Sequence, residues 1–416
     1  MARARRAPRA RSWPRAIWVL LGGVLLARAA GYAYPFLAYH LGSSRLHLPA
    51  GVIGAVLATF GGGWLLGQVL CGWAADRLGR RVTLVGAMTA GAISTAVLAV
   101  VESIPALFAA AAVAGACYDA PRPVVSACIA DLIHDEAERA AVSGWRHFAV
   151  NVGAALGAAG GLLAGVVGTQ GLFEINAAAC AVIAILTSRY VDVGPPPPPE
   201  GAVQRGHYRR ALKDARLWLL CLASLMALIC VVGLYSALPM LMSARGLSAT
   251  DYGWTQAVNA LVVLLITPAA TRWLSHRAAA GPLWGAFAAG SLILGTGMAA
   301  AALAEDMLGF AAGVAMAVPG EVVVMVAASD LLNRITPTSV RGLYAGIWGT
   351  TLAGAVVLTP LMTGWSFTHG GPTLVAMMTL CSGLTGAALC LPLRTFIRRV
   401  PYTAPIIISP STDELA

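Results

Sequence analysis

The sequence predicts an all-α membrane protein with twelve transmembrane helices, arranged as two pseudo-symmetric halves of six. Three observations support this fold class. Of the 416 residues, 58% are hydrophobic and only 11% are charged, whereas soluble domains carry about 25% charged residues. Apolar runs of about twenty residues, long enough to cross a bilayer, recur along the chain. Several features also repeat after about two hundred residues, as in membrane proteins built from internal repeats.

The chain divides into twelve expected spans and three polar segments. The N-terminal half, 17–193, has expected spans at 17–41, 50–72, 82–101, 104–133, 143–168 and 171–191. The C-terminal half, 217–395, has expected spans at 217–243, 252–274, 281–303, 307–332, 343–367 and 372–393. The polar segments are a basic arm, a linker and a tail, at 1–16, 194–216 and 396–416. The linker contains a run of prolines, which favours a stiff polyproline II conformation.

Basic residues are expected to mark the cytoplasmic side of the membrane. With an even number of spans, the arm, the linker and the tail share this side with Arg139, Arg189, Arg272, Arg277, Arg334 and Arg341. In the sequence, the loops of the other side carry only Arg45 and Arg245. The net charge of +10 is therefore attributed to topology and not to nucleic-acid binding. The sequence predicts a multi-pass protein of the plasma (inner) membrane with both termini in the cytoplasm.

The most diagnostic stretch lies after the second expected span and reads Gly72-Trp-Ala-Ala-Asp76-Arg77-Leu-Gly79-Arg80-Arg81. Gly72 would let two helices approach closely, and Gly79 permits a turn that a side chain would resist. Asp76 is a candidate for contact with a helix N-terminus, where a carboxylate meets unpaired N–H groups. The arginines alone would indicate only a basic loop that sets topology. The spacing of the whole stretch closely resembles the signature loop between the second and third helices of the major facilitator superfamily.

This resemblance covers roughly residues 17–395. It implies a transporter whose two halves rock around a site at the middle of the membrane. It also implies a charge contact between the loop residues Asp76 and Arg80 and Asp131, at the end of span four, that stabilises one access state. A solvated helix end is the simpler interpretation of Asp131. No metal site, cofactor or catalytic motif is expected, so the chain is not expected to be an enzyme.

Span five carries a glycine pattern formed by Gly144, Gly153, Gly157 and Gly161. The pattern resembles the glycine-rich motif of proton-coupled drug exporters in the superfamily, although Ala158 stands where proline is usual. Plain packing is the alternative explanation, because small residues allow helices to approach closely. The resemblance implies proton-coupled efflux.

Four ionisable residues lie well inside expected spans: Arg28, Asp119, Arg122 and Glu321. A charge near the middle of a bilayer costs about 2.5–3.5 kcal/mol on insertion scales and needs a partner or a water-filled cavity. Asp119 and Arg122 share one helix face because they are three residues apart. An internal ion pair of Asp119 with Arg122 or Arg28 is therefore one explanation, and a functional role of Asp119 is the other.

Glu321 has no nearby cation in sequence and occupies the position of Arg122 in the other half. It is the stronger candidate for a proton-carrying or substrate-contacting acid. The prolines near both acids, Pro121 and Pro319, predict interrupted or kinked helices.

Three hypotheses about function follow. The first is proton-coupled efflux of a small amphipathic or hydrophobic molecule by alternating access, carried out by a monomer whose partners are its substrate, protons and the bilayer. The second is uptake or exchange of an organic anion held by Arg28 and Arg122. The third, from another class, is a non-transporting membrane sensor or an intramembrane enzyme. Side chains that could either face a substrate or simply pack are Tyr32, Tyr34, Tyr118, Trp145, Asn151, Tyr235, Trp254 and Asn259.

Overall fold

The structure is a computed structural model that describes residues 13–42, 46, 48–119, 121–133, 135–192, 211–337 and 341–398. Within these ranges the chain is helical and contains no strand. Most of the expected arm, linker and tail lies outside the described residues, as does Arg45.

The described residues of the N-terminal half form eight helices. They are α1 (Arg15–Ala29), α2 (Leu37–Leu41), α3 (Ala50–Leu78), α4 (Arg80–Val100), α5 (Ile104–Tyr118), α6 (Pro121–Leu132), α7 (Glu136–Ala158) and α8 (Gly160–Tyr190). Span one consists of α1 and α2, and span four consists of α5 and α6. Helices α3 and α4 are spans two and three. Span five is α7 together with α8 up to the turn at Gly168, and the rest of α8 is span six.

In the C-terminal half the described ranges form seven helices. They are α9 (Ala215–Gly233), α10 (Ala237–Ala244), α11 (Ala249–Ala280), α12 (Trp284–Leu303), α13 (Met307–Ile335), α14 (Arg341–Ala388) and α15 (Cys390–Arg398). Span seven consists of α9 and α10, and α11 to α13 are spans eight to ten. Helix α14 turns at Gly371 and so forms span eleven and, with α15, span twelve.

Nine helical segments in the described ranges are long and apolar enough to cross a membrane. The last of them, Leu343–Thr395, contains the turn at Gly371 and therefore provides two spans. Spans one and five are not among the nine, because the long helix of span one has only 15 residues and span five begins in a polar sequence. With these two spans the count is the twelve that the sequence predicts.

Three glycines with positive φ form the tightest turns between consecutive spans. The φ angles are 88° at Gly79, 71° at Gly168 and 59° at Gly371. Glycine adopts such angles easily, whereas a side chain would strain the turn. Gly168 and Gly371 join spans five to six and eleven to twelve, so they occupy corresponding places in the two halves.

A cation–π pair is also repeated in the two halves. The guanidinium of Arg77 lies 4.9 Å from the ring centre of Trp73 at the end of span two. At the end of span eight, Arg277 lies 4.8 Å from the ring centre of Trp273. The same side chains at the same spacing, one in each half, confirm the internal repeat.

Polar caps begin four of the helices where the chain enters a span. The side chains of Asp135, Asp214 and Asp306 each accept a hydrogen bond from a backbone N–H of the first helical turn. Ser248 forms a reciprocal capping box with Asp251. These side chains pair N–H groups that a helix cannot satisfy internally, and so they fix where spans five, seven, eight and ten start.

The two ends of the helical bundle differ. We call one the basic end; it carries the Gly79 turn and the described basic residues Arg15, Arg139, Arg189, Arg272, Arg277, Arg334 and Arg394. We call the other the closed end, because the closest contacts between the two halves lie there. It carries the Gly168 turn and Arg245, which pairs with Glu305 at 3.5 Å.

The contacts at the closed end join span two to span eleven and span five to span eight. A Cβ built on Gly54 would lie 2.4 Å from the carbonyl oxygen of Pro360, and one built on Gly161 would lie 2.1 Å from the Cα of Gly253. Backbone therefore meets backbone with no side chain between, as small residues permit in membrane bundles.

An aromatic cluster seals the same end between spans one and eight. The ring centres of Phe36 and Tyr39 lie 5.4 and 5.7 Å from that of Tyr252. All three side chains are buried, and the Tyr252 hydroxyl donates a hydrogen bond of 3.2 Å to the Leu234 carbonyl. Because the cluster combines residues of both halves, it holds them together here.

The apolar cores show the same asymmetry. A large core joins buried residues of both halves, among them Phe60 and Phe173 with Phe287 and Phe310. A second core, at the basic end, consists of N-terminal-half residues alone, including Ile17. The halves therefore share a core toward the closed end, while the N-terminal half packs on itself at the basic end.

Candidate functional site

Asp119 lies in a break at the middle of span four. Helix α5 ends at Tyr118, Asp119 has non-helical φ and ψ of −134° and 3°, and α6 starts at Pro121. Proline suits the first turn of a helix and disfavours a continuous one, so the sequence itself places the break. The interruption expected in span four is present, whereas α13 runs through Pro319 without one.

The carboxylate of Asp119 is shared by two arginines. Arg28 Nη2 lies 2.7 Å from Asp119 Oδ1, and Arg122 Nε donates a 3.2 Å hydrogen bond to the same oxygen. Arg122 Nη2 also pairs with Oδ2. The side chain of Asp119 is 8% exposed, that of Arg28 is 27% exposed and that of Arg122 is 52% exposed. Asp119 thus neutralises part of the buried positive charge, which is the ion-pair explanation offered by the sequence.

A third arginine, Arg146 of span five, lies beside this cluster. Its Nη1 donates a 2.5 Å hydrogen bond to the hydroxyl of Ser126, one turn beyond Arg122 on span four. Arg146 interacts electrostatically with both Arg122 and Asp119. Arg146 is not among the residues predicted for the site because it lies near the start of an expected span. The signal that could have identified it is the presence of an arginine within 143–168.

Glu321 lies on the opposite wall, in span ten of the C-terminal half. Its Oε2 atom is buried and has no hydrogen-bond partner among the described residues. No ion pair joins Glu321 to any residue in the described ranges. The residue as a whole is half-buried. The two acids therefore differ in their partners, because Asp119 is paired with two arginines and Glu321 with none of the described residues.

Tyr235 of span seven connects the two walls. It lies within electrostatic range of Glu321, Asn259, Tyr118 and Arg28. The buried Oδ1 of Asn259 is also without a partner among the described residues. Through Tyr235 the structure brings Glu321 near Arg28, which pairs with Asp119.

Aromatic rings form an apolar wall beside the arginines. The ring centres of Trp64 and Tyr118 are 5.5 Å apart, and those of Tyr34 and Phe60 are 5.3 Å apart. The Tyr34 hydroxyl and the Trp64 indole N–H are buried with no partner in the described ranges. The other candidates lie elsewhere: Tyr32 packs on Gly160, Asn151 bonds its own helix, and Trp145 and Trp254 are exposed.

The signature stretch is mostly helical. Helix α3 continues to Leu78, and Gly79 alone separates it from α4. The expected end of span two at residue 72 is therefore wrong, because nothing in Trp73-Ala74-Ala75 interrupts a helix. Gly72 makes no close contact, since a Cβ there would have no atom within 4 Å. The close approach occurs earlier in span two, where Gly67 would place a Cβ 2.0 Å from the Ala116 carbonyl oxygen.

The charged residues of this stretch have separate partners. Arg80 pairs with Asp131 at the end of span four and donates a 2.7 Å hydrogen bond to the Ala127 carbonyl. Arg81 donates to the Ser188 carbonyl of span six. Asp76 is exposed and forms no hydrogen bond or ion pair with a described residue. The contact implied by the resemblance thus contains Arg80 and Asp131 without Asp76.

Asp330 takes the place of Asp131 in the C-terminal half. It accepts a 3.1 Å hydrogen bond from the backbone N–H of Leu283 and a 2.9 Å bond from Arg334 Nε. Arg334 Nη2 in turn donates to the Ala278 carbonyl at 2.6 Å. In both halves an aspartate near the end of the fourth span therefore contacts the turn between the second and third spans. The arginine that pairs with this aspartate differs between the halves.

A further polar cluster ties span seven to span eleven at the basic end. Asp214 accepts hydrogen bonds from Arg216 Nη2 at 2.9 Å and from the Tyr344 hydroxyl at 3.0 Å. Burial alone would raise the pKa of Asp214, but the hydrogen bonds from Arg216 and Tyr344 outweigh it. The pKa of Asp214 is therefore below its ordinary value.

The glycine pattern of span five makes contacts with both halves. A Cβ on Gly153 would lie 2.6 Å from the Leu25 carbonyl oxygen, and one on Gly157 would lie 2.9 Å from the Arg28 carbonyl oxygen. Gly161 meets Gly253 at the closed end, whereas Gly144 has no atom within 4 Å. The pattern therefore packs span five against span one, next to Arg28, and against span eight.

A sequence model described as the Major Facilitator Superfamily matches residues 18–360, most of the chain. The chain belongs to this superfamily. It is therefore a multi-pass integral membrane protein and a secondary transporter, not an enzyme. No curated protein matches the sequence.

Solved structures of other superfamily transporters have the same fold. A POT family transporter in complex with a thioalcohol-conjugated peptide has a TM-score of 0.75 at 14% identity, with 93% of this chain and 99% of that chain covered. The nucleoside transporter NupG has a TM-score of 0.74 at 15% identity, with 91% and 99% covered. An auto-inhibited POT family peptide transporter has a TM-score of 0.71 at 18% identity, with 95% and 99% covered.

These identities establish the fold alone. The neighbours named here are POT family transporters, one of them described as a peptide transporter, and a nucleoside transporter.

Proposed function

We propose that this protein is a proton-coupled transporter that exports a small amphipathic molecule by alternating access. The observation that carries the proposal is the carboxyl group of Glu321, which is buried in a spanning helix and has no partner among the described residues. A charged residue at this depth is costly and is usually functional. Glu321 can take up or release a proton without breaking an existing contact, whereas protonation of Asp119 would break its contacts with two arginines.

The arrangement of the halves supports one access state. Glycine and aromatic contacts join the halves at the closed end, whereas at the basic end the N-terminal half has a separate core. We propose that the central region is open to the basic end. The described basic residues mark that end as cytoplasmic by the positive-inside rule. The state is then inward-open, in a plasma (inner) membrane, with both termini in the cytoplasm.

A single chain has site residues on both of its halves. Arg28, Asp119 and Arg122 come from the N-terminal half and Glu321 from the C-terminal half. Rocking of one half against the other would expose these residues alternately to the two sides. We therefore propose a monomer as the functional unit.

Export is supported by the glycine pattern of span five, which resembles that of proton-coupled exporters and packs directly on span one at Arg28. Uptake or exchange of an organic anion is the second candidate. The observation that favours it is the third arginine, Arg146, which interacts with Arg122 and Asp119.

The proposal is tested in proteoliposomes that contain a pH-sensitive dye, with a panel of lipophilic cations and organic acids. We expect a substrate-evoked proton flux in the wild type that Glu321→Gln abolishes. The matched control is Glu174→Gln, because Glu174 also lies in a span but bonds Gln170 on an exposed face of span six. Opposite directions of proton and substrate movement indicate export, and a common direction indicates uptake.

Two results would contradict the proposal. Substrate transport with no proton flux in either protein would exclude a coupling role for Glu321 and favour a uniporter or exchanger. The absence of any solute movement across the whole panel would favour the non-transporting sensor.

A further inference from the structure

We infer that Arg122 and Arg146 form a subsite for the anionic group of the cargo, a carboxylate, sulfonate or phosphate attached to an apolar body. The inference rests on the proposed transport function and identifies the class of molecule carried, whichever way it moves. It differs from the sequence-based hypothesis in the residues that bind the anion, because Arg28 is already engaged by Asp119.

The charge balance of the N-terminal wall favours an anion. Three guanidinium groups, of Arg28, Arg122 and Arg146, interact with a single carboxylate, that of Asp119. Arginine stays protonated in proteins, so the wall keeps an excess of positive charge. Arg122 is exposed and Arg146 is half-buried, so this charge attracts anions from the solvent. A bound anion would balance it during transport.

Arg122 and Arg146 retain hydrogen-bonding capacity for such a ligand. Each guanidinium has five N–H donors. Among the described residues, Arg122 directs Nε and Nη2 to Asp119, and Arg146 directs Nη1 to Ser126. The remaining donors of both groups can bind a carboxylate or phosphate, for which the planar fork of arginine is well suited.

The pair is reachable from the basic end. Arg122 precedes Asp131 by nine residues on span four, which places it about 14 Å from the edge of the bundle at a helical rise of 1.5 Å per residue. At that depth its side chain is still 52% exposed. A guanidinium turned toward lipid would be unfavourable, so the exposure indicates a water-accessible space between the halves.

A partly exposed aromatic residue lies directly beside the subsite. Tyr118 immediately precedes Asp119, and its ring packs against the buried rings of Trp64 and Phe60. A molecule held by its anionic group at Arg122 would place its apolar part against Tyr118. The cargo is therefore an amphipathic anion rather than a lipophilic cation.

The test uses three molecules of nearly the same shape: naphthylacetate, neutral naphthylacetamide and cationic naphthylethylamine. Binding to the full-length protein in detergent is measured by calorimetry and thermal stabilisation. We expect naphthylacetate to bind at least about tenfold more tightly than the amide, as a charge-assisted hydrogen-bonding pair provides. We expect Arg122→Ala and Arg146→Ala each to remove most of this preference, and the double variant to remove all of it.

Arg277→Ala is the control, because Arg277 stacks on Trp273 at the end of span eight, far from the site. Of the two site variants, Arg146→Ala is less prone to destabilise the fold. Arg146 forms its hydrogen bond with a serine, so its removal leaves no carboxylate without a partner. Equal or tighter binding of the amine, or an anion preference that survives in the double variant, would overturn the inference. So would the absence of naphthylacetate binding at millimolar concentration.

Glu321→Gln separates this inference from the proposed coupling. We expect that variant to keep its preference for naphthylacetate while it loses substrate-evoked proton flux. Anion binding that depends on Arg146, in a protein that moves no protons, would support the subsite and contradict the coupling. Proton flux evoked by cations but not by organic acids would support the coupling and contradict the subsite.

Discussion

Gly161 of span five and Gly253 of span eight meet with no side chain between them, so that a Cβ built on Gly161 would lie 2.1 Å from the Cα of Gly253. The two residues belong to different halves of the protein. Their contact can therefore form only while the two halves meet at the closed end.

We expect Gly253→Val to open the closed end. The added side chain cannot fit against Gly161, and overpacking of this kind costs about 1–3 kcal/mol, which shifts a two-state equilibrium by about 5–150-fold. Spin labels at Gln170 and Glu305, on different halves near this end, report the change as a longer distance by pulsed electron paramagnetic resonance.

The control for this change is Gly144→Val, because a Cβ at Gly144 has no atom within 4 Å. It should leave the distance between the labels unchanged. A folded Gly253→Val protein with the wild-type distance would show that the contact does not hold the closed end.

Gly67→Val and Gly72→Val should have opposite outcomes although they lie on the same helix. A Cβ on Gly67 would lie 2.0 Å from the Ala116 carbonyl oxygen, whereas one on Gly72 would meet nothing within 4 Å. We expect Gly67→Val to cost about 3 kcal/mol or more, or to prevent folding, and Gly72→Val to stay within about 0.5 kcal/mol. Thermal unfolding in detergent and the yield of monodisperse protein measure both, and equal stability of the two variants would contradict the packing described here.

The Arg80–Asp131 pair should stabilise the state that the structure shows. Its side chains are only 13% and 25% exposed, so Asp131→Asn leaves Arg80 without its charged partner. We expect a loss of about 1.5–3 kcal/mol, seen as a lower unfolding temperature. Asp76→Asn is the matched control, because Asp76 is exposed, and we expect it to change stability by less than about 0.5 kcal/mol. A larger effect of Asp76→Asn than of Asp131→Asn would reverse these assignments.

The Asp214 cluster should give a stability that is lost in acid. The pKa of Asp214 is lower in the folded protein than its ordinary value, so the folded state favours the charged form. The contribution is complete above the ordinary pKa of about 3.9 and disappears as pH falls through the lower folded pKa. We expect Asp214→Asn to reduce stability at neutral pH. The variant should then lose less additional stability than the wild type as the pH falls below about 4.

Tyr344→Phe tests the same contact from the other side, since it removes one hydrogen bond to Asp214 and keeps the carboxyl group. It should reduce the acid-dependent part of the stability without abolishing it. Unfolding temperatures between neutral and acidic pH measure both variants, and parallel pH profiles for the wild type and Asp214→Asn would contradict the pKa shift.

Much of the fold follows from the sequence because membrane spans have strong local signals. Long apolar runs give the spans, and the repeated features give the two halves. The ends of the helices are harder to predict where a sequence is polar and yet helical. The stretch after Gly72 is charged and looks like a loop, yet its residues are good helix formers and α3 continues to Leu78.

The sequence predicts Asp119, Arg122 and Glu321 as candidate site residues, but it predicts only some of their contacts. Asp119 and Arg122 are close in sequence, so their pairing could be foreseen. The addition of Arg146 and the lack of any partner for Glu321 Oε2 among the described residues depend on how helices rotate and pack across the bundle. A single sequence does not specify those rotations.

The excess positive charge of Arg28, Arg122 and Arg146 over Asp119 would make the empty transporter sensitive to the membrane potential. An elementary charge that crosses the whole membrane field changes energy by about 2.3 kcal/mol per 100 mV. In the orientation proposed above, with the basic end in the cytoplasm, an inside-negative voltage attracts this charge toward that side and favours the state open to it. An anionic cargo cancels the charge and with it the response to voltage. The resting potential would then return the unloaded protein to the cytoplasm-facing state for each new cycle.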